Sequence, residues 1–77
     1  MMKMQQVNLT AVRQAVAKQL NIDAQEIQDD DDLFMLGLDS VSLMTLAGFW
    51  RDAGINIEFQ DLAEKPTVQD WLQRLNQ

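Results

Sequence analysis

Apolar side chains recur every three or four residues in three stretches of the sequence, which is the spacing of an amphipathic helix. The first stretch covers about residues 8–20, the second about 39–53, and the third begins near residue 67. No stretch alternates apolar and polar residues over a useful strand length. The pattern therefore predicts an all-α protein. The stripes expected to face its core are Leu9, Val12, Val16 and Leu20; Leu43, Leu46, Ala47 and Trp50; and Val68, Trp71, Leu72 and Leu75.

Residues that favour helix ends set the boundaries of these elements. Asn21 and Gly54 are predicted to end the first and second helices, and the T-x-x-D pattern of residues 67–70 opens the last one. A D-x-x-E pattern over residues 23–26 predicts a capping box and a single turn, and another short helix is expected around residues 58–63. Three main helices and one short helix would pack as a four-helix bundle.

Four consecutive aspartates, residues 29–32, precede the second helix. Like charges at this density oppose helix formation and predict an exposed loop. An EF-hand starting at Asp29 or Asp30 would need glycine at its sixth position and glutamate at its twelfth, and neither start supplies them, so no metal site is predicted. Gly37 predicts a turn with positive φ. We expect the apolar residues of this loop to pack onto the bundle: Leu33, Phe34, Leu36 and Leu38.

Twelve acidic residues against six basic ones give the chain a net charge of −6. A surface of this sign repels phosphate backbones and anionic lipids, so no nucleic acid and no membrane is expected as a partner. No apolar run approaches the roughly 20 residues of a membrane span, and residues 1–6 lack the apolar stretch of a secretory signal. The 77 residues are therefore expected to form one cytoplasmic, monomeric domain, structured over about residues 8–76.

The side chains available argue against catalysis. The chain contains no histidine and no cysteine, which removes the usual general base and the commonest metal ligands. Its two serines, Ser40 and Ser42, therefore have no histidine to activate them as nucleophiles. We predict that the protein is not an enzyme and has no catalytic residue.

The Asp39-Ser40 pair at the start of the second helix allows two interpretations. In an ordinary helix start, Asp39 is the N-cap and Ser40 merely occupies the first turn. In a functional interpretation, the Ser40 hydroxyl is exposed at the positive end of the helix, where unpaired N–H groups favour an attached phosphate.

The run Leu36-Gly37-Leu38-Asp39-Ser40-Val41 resembles the L-G-x-D-S attachment motif, followed by L or V, of the acyl, peptidyl and aryl carrier proteins. The acidic loop before this run and the Lys65-Pro66-Thr67-Val68 helix start support the resemblance, which covers about residues 9–75. The resemblance implies a carrier-protein bundle in which a phosphopantetheinyl transferase attaches 4'-phosphopantetheine from coenzyme A to Ser40. It also implies that Asp39 helps the transferase to recognise the site, and that the arm holds an acyl group as a thioester.

The sequence after the serine distinguishes branches of this family. Acyl carriers of fatty-acid synthesis usually place several acidic residues on the second helix, whereas Ser40 to Arg51 contains none. The segments 49–52 and 57–71 instead resemble the aryl carrier domains of nonribosomal siderophore synthesis. The resemblance implies an aryl-activating adenylation enzyme and a condensation or cyclization domain of a synthetase as further partners. The alternatives are a peptidyl or acyl carrier of another nonribosomal or polyketide pathway and an unmodified helical interaction module.

We also predict an apolar partner surface close to Ser40. Val41 and Met44 lie off the core stripe of the second helix, and Phe59 and Ala63 are four residues apart, so that one face of the short helix presents both. For Phe59, closing the bundle is an equally good interpretation.

Overall fold

The computed structural model describes residues 7–77, and this part of the chain contains helices and no strand. This confirms the predicted four-helix bundle with one short helix. The expected absence of a secretory signal concerns residues 1–6 and lies outside the described residues. The helices are α1 (Leu9–Leu20), α2 (Ser40–Asp52), α3 (Phe59–Glu64) and α4 (Val68–Leu75), and a 3-10 turn, Ala24–Glu26, follows α1.

The helices begin and end where polar side chains and left-handed residues satisfy their free backbone groups. The Asn8 side chain accepts a hydrogen bond from the Ala11 N–H at 2.8 Å and starts α1. Asn21 ends this helix with φ 58°, in the left-handed region. Gly54, with φ 95°, follows α2, and the Thr67 hydroxyl accepts from the N–H three residues on to start α4. These boundaries confirm the sequence predictions.

The turn after α1 differs from the predicted capping box. The Asp23 carboxylate accepts from the Gln25 N–H at 3.0 Å, and the Glu26 N–H donates instead to the Asp23 backbone carbonyl at 2.9 Å. A 3-10 turn is tighter than an α-helical turn, which brings the second residue after Asp23, rather than the third, within reach of its carboxylate.

The predicted stripes form a single core. Trp50 and Trp71 are both buried and meet edge to face, with ring centroids 6.0 Å apart and an interplanar angle of 79°. Leu9, Leu20 and Leu72 lie at the margin of this core and are partly buried. The fully buried residues with the largest side chains are Trp71, Ile27, Leu33, Leu43, Ile57, Leu62, Val12, Val16 and Val68.

The packing of the helices places the two ends of α2 at opposite ends of the bundle. Helix α1 packs against α4 and α2, and α3 packs against α2. Val7 and Asn8, before α1, lie beside Phe49 and Ala53 near the end of α2. The 13 residues of α2 span about 20 Å. Ser40, at the start of α2, is therefore far from the end of the bundle at which the described chain begins.

The loop before α2 is fixed to the bundle through only part of its apolar residues. The Leu33 N–H donates to the Pro66 carbonyl at 2.8 Å, and both Leu33 and Leu38 are buried. Phe34 and Leu36 remain 41% and 37% exposed, so the prediction that all four apolar residues pack onto the bundle is wrong for these two. The reason is that the tight turn between the two buried leucines leaves little inward-facing surface for the residues between them.

The aspartate run is mostly exposed, as predicted, and several of its carboxylates have structural roles. Asp29 forms an ion pair with Arg13 at 2.6 Å, and the same guanidinium donates to the Ile27 carbonyl. Asp32 accepts from the Phe34 N–H at 3.0 Å. The acidic loop is thus held to α1 at one end and closed on itself at the other.

Candidate functional site

The side chain of Ser40 is exposed on the first residue of α2. The preceding residue, Asp39, has extended backbone angles (φ −111°, ψ 178°) and is the N-cap of the helix. Its carboxylate accepts a hydrogen bond from the Ser42 N–H at 2.8 Å. Because this bond turns the carboxylate along the first turn, the backbone at Ser40 is fixed while its hydroxyl faces solvent.

The cap also determines the ionisation of Asp39. The hydrogen bonds from the Ser42 backbone N–H and, second, from the Ser42 hydroxyl lower the pKa of the Asp39 carboxyl below its ordinary value of 3.8. Asp39 is therefore charged at neutral pH and lies directly beside Ser40.

The turn before Asp39 presents this pair at the surface. Gly37 has φ 112°, a conformation that favours glycine, as predicted. The Leu38 N–H donates to the Leu33 carbonyl at 3.0 Å, and the Leu38 side chain is buried. A buried residue anchored two positions before Ser40 fixes where the exposed hydroxyl stands relative to the bundle.

The two serines differ in accessibility. Ser40 is exposed, whereas Ser42 is partly buried and its N–H is engaged by Asp39. Ser40 also occupies the N-terminal end of a 13-residue helix, which is the positive end of the helix dipole. The residues present therefore fit a phosphodiester on the Ser40 oxygen: the hydroxyl is accessible and its electrostatic surroundings favour a negative group.

The four residues predicted as a partner surface occupy two adjacent helices with different exposure. Val41 and Met44, on α2, are 67% and 54% exposed. Phe59 and Ala63, on α3, are only partly exposed and pack against the core. Phe59 therefore helps to close the bundle, which is one of the two interpretations that the sequence left open, and it remains partly accessible.

Helix α3 is held beside α2 by contacts between the two helices and by an ion pair. The Arg51 guanidinium approaches the Glu58 carboxylate at 3.4 Å, joining the last turn of α2 to the N-cap of α3. Both side chains are largely exposed, so this pair contributes little stability. The partly exposed residues Phe59 and Ala63 thus belong to a helix that packs against α2, the helix carrying Met44.

Sequence reasoning missed other exposed apolar residues. Met35, in the turn before Ser40, is 83% exposed. Phe49 is also exposed and lies near Val7 and Ala11 of the α1 region. Phe49 lies outside the predicted core stripe of α2, and this alone in the sequence indicated that its ring would be exposed.

Within residues 7–77, no group of acidic side chains is arranged to hold a metal ion. None of the helices described is long and apolar enough to cross a membrane.

Comparison with known families gives a match over most of the chain. Residues 10–75 match the family described as "Phosphopantetheine attachment site". The match includes α2, with Ser40 at its start, and all of α3 and α4.

Several curated proteins are similar in sequence. Phenyloxazoline synthase MbtB of Mycolicibacterium paratuberculosis is 45% identical over 62 residues, or 80% of this chain. Isochorismatase of Bacillus subtilis is 42% identical over 60 residues, or 78% of the chain. Enterobactin synthase component B of Escherichia coli is 39% identical over 66 residues, or 86% of the chain. The matched parts are 5%, 19% and 23% of these relatives, so the chain corresponds to a small part of each.

A solved structure has the same arrangement of helices. The NMR structure of the HMG-ACPI domain from the CurA module of Lyngbya majuscula superimposes with a TM-score of 0.72 at 25% sequence identity. The superposition covers 99% of this chain and 86% of that domain.

Proposed function

This chain belongs to the phosphopantetheine attachment site family, and we propose that it is a single aryl carrier domain whose arm is attached at Ser40. The family carries 4'-phosphopantetheine covalently. The observation that carries the assignment of Ser40 is its exposed hydroxyl at the start of α2, fixed by the Asp39 cap. The chain itself catalyses no step; it presents a group to other enzymes.

The modification takes place at the Ser40 oxygen. A transferase removes the hydroxyl proton, the oxygen bonds to the phosphorus that carries pantetheine in coenzyme A, and the P–O bond to the departing adenosine bisphosphate breaks. The attached arm supplies a terminal thiol that carries the acyl group as a thioester. Because coenzyme A is required, the proposal places modification in the cytoplasm.

We assign Asp39 two roles at this site. As N-cap it holds the first turn of α2 and thereby the position of the Ser40 oxygen. As an exposed anion it is a recognition feature for the transferase. The second role needs the charge, whereas the first needs only an acceptor oxygen, so an asparagine at this position separates the two.

The aryl branch is supported by the surroundings of Ser40 and by the relatives. Helix α2 has no acidic side chain between Ser40 and Arg51, and the exposed side chains near the attachment point, Val41 and Met44, are apolar. The names of three relatives, phenyloxazoline synthase, isochorismatase and enterobactin synthase component B, are in accord with aryl-acid chemistry in a nonribosomal pathway. We propose an aryl-activating adenylation enzyme as the source of the acyl group and a condensation or cyclization domain of a synthetase as its acceptor.

The partner surface in this proposal consists of Val41, Met44, Phe59 and Ala63. The residues lie on α2 and α3, which pack against each other, and each leaves apolar surface accessible. A partner that receives the acyl group must approach Ser40, and Val41 and Met44 follow it within the first two turns of α2.

Intact mass tests the attachment site. The wild-type chain, incubated with coenzyme A and a promiscuous phosphopantetheinyl transferase, is expected to gain the mass of one arm. Ser40→Ala should keep the helical circular-dichroism spectrum and gain nothing, while the matched control Ser42→Ala should be modified like wild type. Modification of Ser40→Ala would refute the assignment, and an unmodified wild-type chain would favour a plain interaction module.

Loading tests the branch. The modified chain is offered separately to an aryl-activating, an amino-acid-activating and a fatty-acyl-activating enzyme, and thioester formation is followed by mass. The proposal predicts loading by the aryl-activating enzyme. Loading by either of the others alone would assign the chain to the peptidyl or acyl carriers instead.

A further inference from the structure

Two of the three glycines in this chain have a conformational reason to be glycine, and the third has none. Gly37 and Gly54 have φ values of 112° and 95°, where other residues are strained. Gly48 lies in the interior of α2 and has no positive φ. Glycine is among the least favourable residues inside a helix because it restricts the backbone least when unfolded.

Packing inside the bundle does not require Gly48 either. Apart from its chain neighbours and the adjacent backbone of α2, a Cβ atom built on Gly48 meets no atom within 4 Å in the described part of the chain. Its neighbours Leu46, Ala47 and Trp50 face the core and are buried, whereas Gly48 is only partly buried. Alanine would therefore fit the folded protein without a clash and would improve the helix.

The position of Gly48 connects it to the attachment site. It follows Met44 by four residues and Val41 by seven, which places all three on one outward face of α2. The other two side chains are exposed. The missing side chain at Gly48 leaves the helix backbone accessible at the far edge of this apolar surface.

We propose that Gly48 is a contact point at which the acyl-accepting condensation or cyclization domain approaches the backbone of α2, so that docking tolerates no side chain there. This inference rests on the proposed function and extends its partner surface. The occupant follows from continuity: Gly48 adjoins Met44, and the domain that takes the acyl group from the arm must cover the part of α2 next to Ser40. The transferase and the adenylation enzyme are the competing occupants.

The test compares stability with three separate reactions in the same variant. Gly48→Ala is expected to raise the melting temperature by about 4–8 °C, as expected for a glycine replaced by alanine in an exposed helix of a small domain. Arm attachment and aryl loading should proceed at wild-type rates. Acyl transfer to the accepting domain should slow by about tenfold, because a methyl group that displaces the partner misplaces the reacting atoms.

A size series and a control complete the experiment. Gly48→Leu should slow acyl transfer further than Gly48→Ala while remaining folded. Ala11→Leu adds comparable volume to an exposed position on α1 and should leave transfer unchanged. Wild-type transfer in Gly48→Leu would overturn the proposal, and slowed arm attachment or slowed loading with normal transfer would assign the contact to another enzyme. Failure of the proposed function is distinguishable, because the wild-type chain would then gain no arm.

Discussion

The indole N–H of Trp71 donates a buried hydrogen bond of 2.9 Å to the backbone carbonyl of Leu62. The bond joins α4 to α3 in the middle of the core, and Leu62 lies next to Ala63 of the proposed partner surface. A second link joins the same helices, since Arg74 forms an ion pair with Asp61 at 2.9 Å. The six-residue helix α3 is too short to be stable alone, so its position depends on these contacts with α4 as well as on its packing against α2.

Replacing Trp71 with phenylalanine tests this dependence. Trp71→Phe leaves the Leu62 carbonyl buried without its partner, and we expect it to lower the free energy of unfolding by about 1–3 kcal/mol. Urea unfolding followed by circular dichroism measures the change. The matched control is Trp50→Phe, which removes similar ring volume from the same aromatic pair but keeps the hydrogen bond. Equal losses in both variants would show that ring volume, rather than the bond, dominates.

Truncating the other tryptophan tests the assignment of helix faces. Trp50 is buried on the core stripe of α2, in contact with Trp71. We expect Trp50→Ala to cost about 3–5 kcal/mol, which is comparable to the roughly 3–5 kcal/mol that the core of a domain this small supplies. The variant should therefore be unfolded or lack cooperative thermal melting. An unchanged melting temperature would contradict the observed packing.

The helices and their ends could be predicted because their causes are local. Each helix end is determined by residues within a few positions of it: the Thr67 side chain starts α4, and Asn21 and Gly54, with positive φ, follow α1 and α2. The apolar stripes likewise follow from the spacing of side chains within one helix. The same holds for the Asp39 cap, which is why the start of α2 and the place of Ser40 followed from the sequence.

The contacts between elements could not be predicted, because they depend on how the helices are arranged. The Asn76 amide forms two hydrogen bonds with the backbone of Val7, 69 residues away, and nothing near either residue indicates the pairing. Likewise, the sequence could not tell which apolar residues of the loop before α2 are buried. The Leu33 N–H donates to the carbonyl of Pro66, which is distant in sequence, and no local pattern indicates this contact.

A charge-neutral cap at residue 39 should change stability in a pH-dependent way. The pKa of Asp39 is lowered in the folded state, so the charged carboxylate stabilises the fold above its ordinary pKa of 3.8, and this contribution is lost as the pH falls through the lowered value. Asparagine caps a helix about as well as aspartate, so Asp39→Asn removes the charge and keeps the cap. We therefore expect Asp39→Asn to melt at a lower temperature than wild type at pH 7, with the difference shrinking below about pH 4.

The same variant tests recognition by the transferase. If the transferase recognises the negative charge of Asp39, it should modify Asp39→Asn more slowly than wild type at pH 7. The helical circular-dichroism spectrum of the variant should be unchanged. Modification at the wild-type rate would restrict Asp39 to its capping role. A melting difference that stays constant down to pH 2 would show that the charge does not contribute to stability in the way its hydrogen bonds indicate.

Truncating the partner surface should slow acyl transfer and spare the earlier steps. Interface energy is concentrated in a few residues, and truncating one of them typically costs about 2 kcal/mol or more, which is roughly a thirtyfold change in affinity. We expect Met44→Ala, whose side chain is 54% exposed, to fold and to accept the arm normally, but to transfer its aryl group more slowly to the accepting domain. Phe59→Ala should do the same and should also lose some stability, because Phe59 packs against the core.

The measurement is the rate of transfer from fully loaded variants, each first confirmed as helical. Phe49→Ala is the matched control: its ring is exposed on α2, but it lies beside Val7 and Ala11 of the α1 region. Phe49→Ala also removes an exposed apolar side chain. If it transfers its aryl group at the wild-type rate, slow transfer in Met44→Ala and Phe59→Ala is due to the positions of those residues and not to the loss of apolar area. Wild-type rates in both Met44→Ala and Phe59→Ala would remove this surface from the proposal. The docking site would then have to be sought on the acidic loop before α2, where Asp30 is exposed.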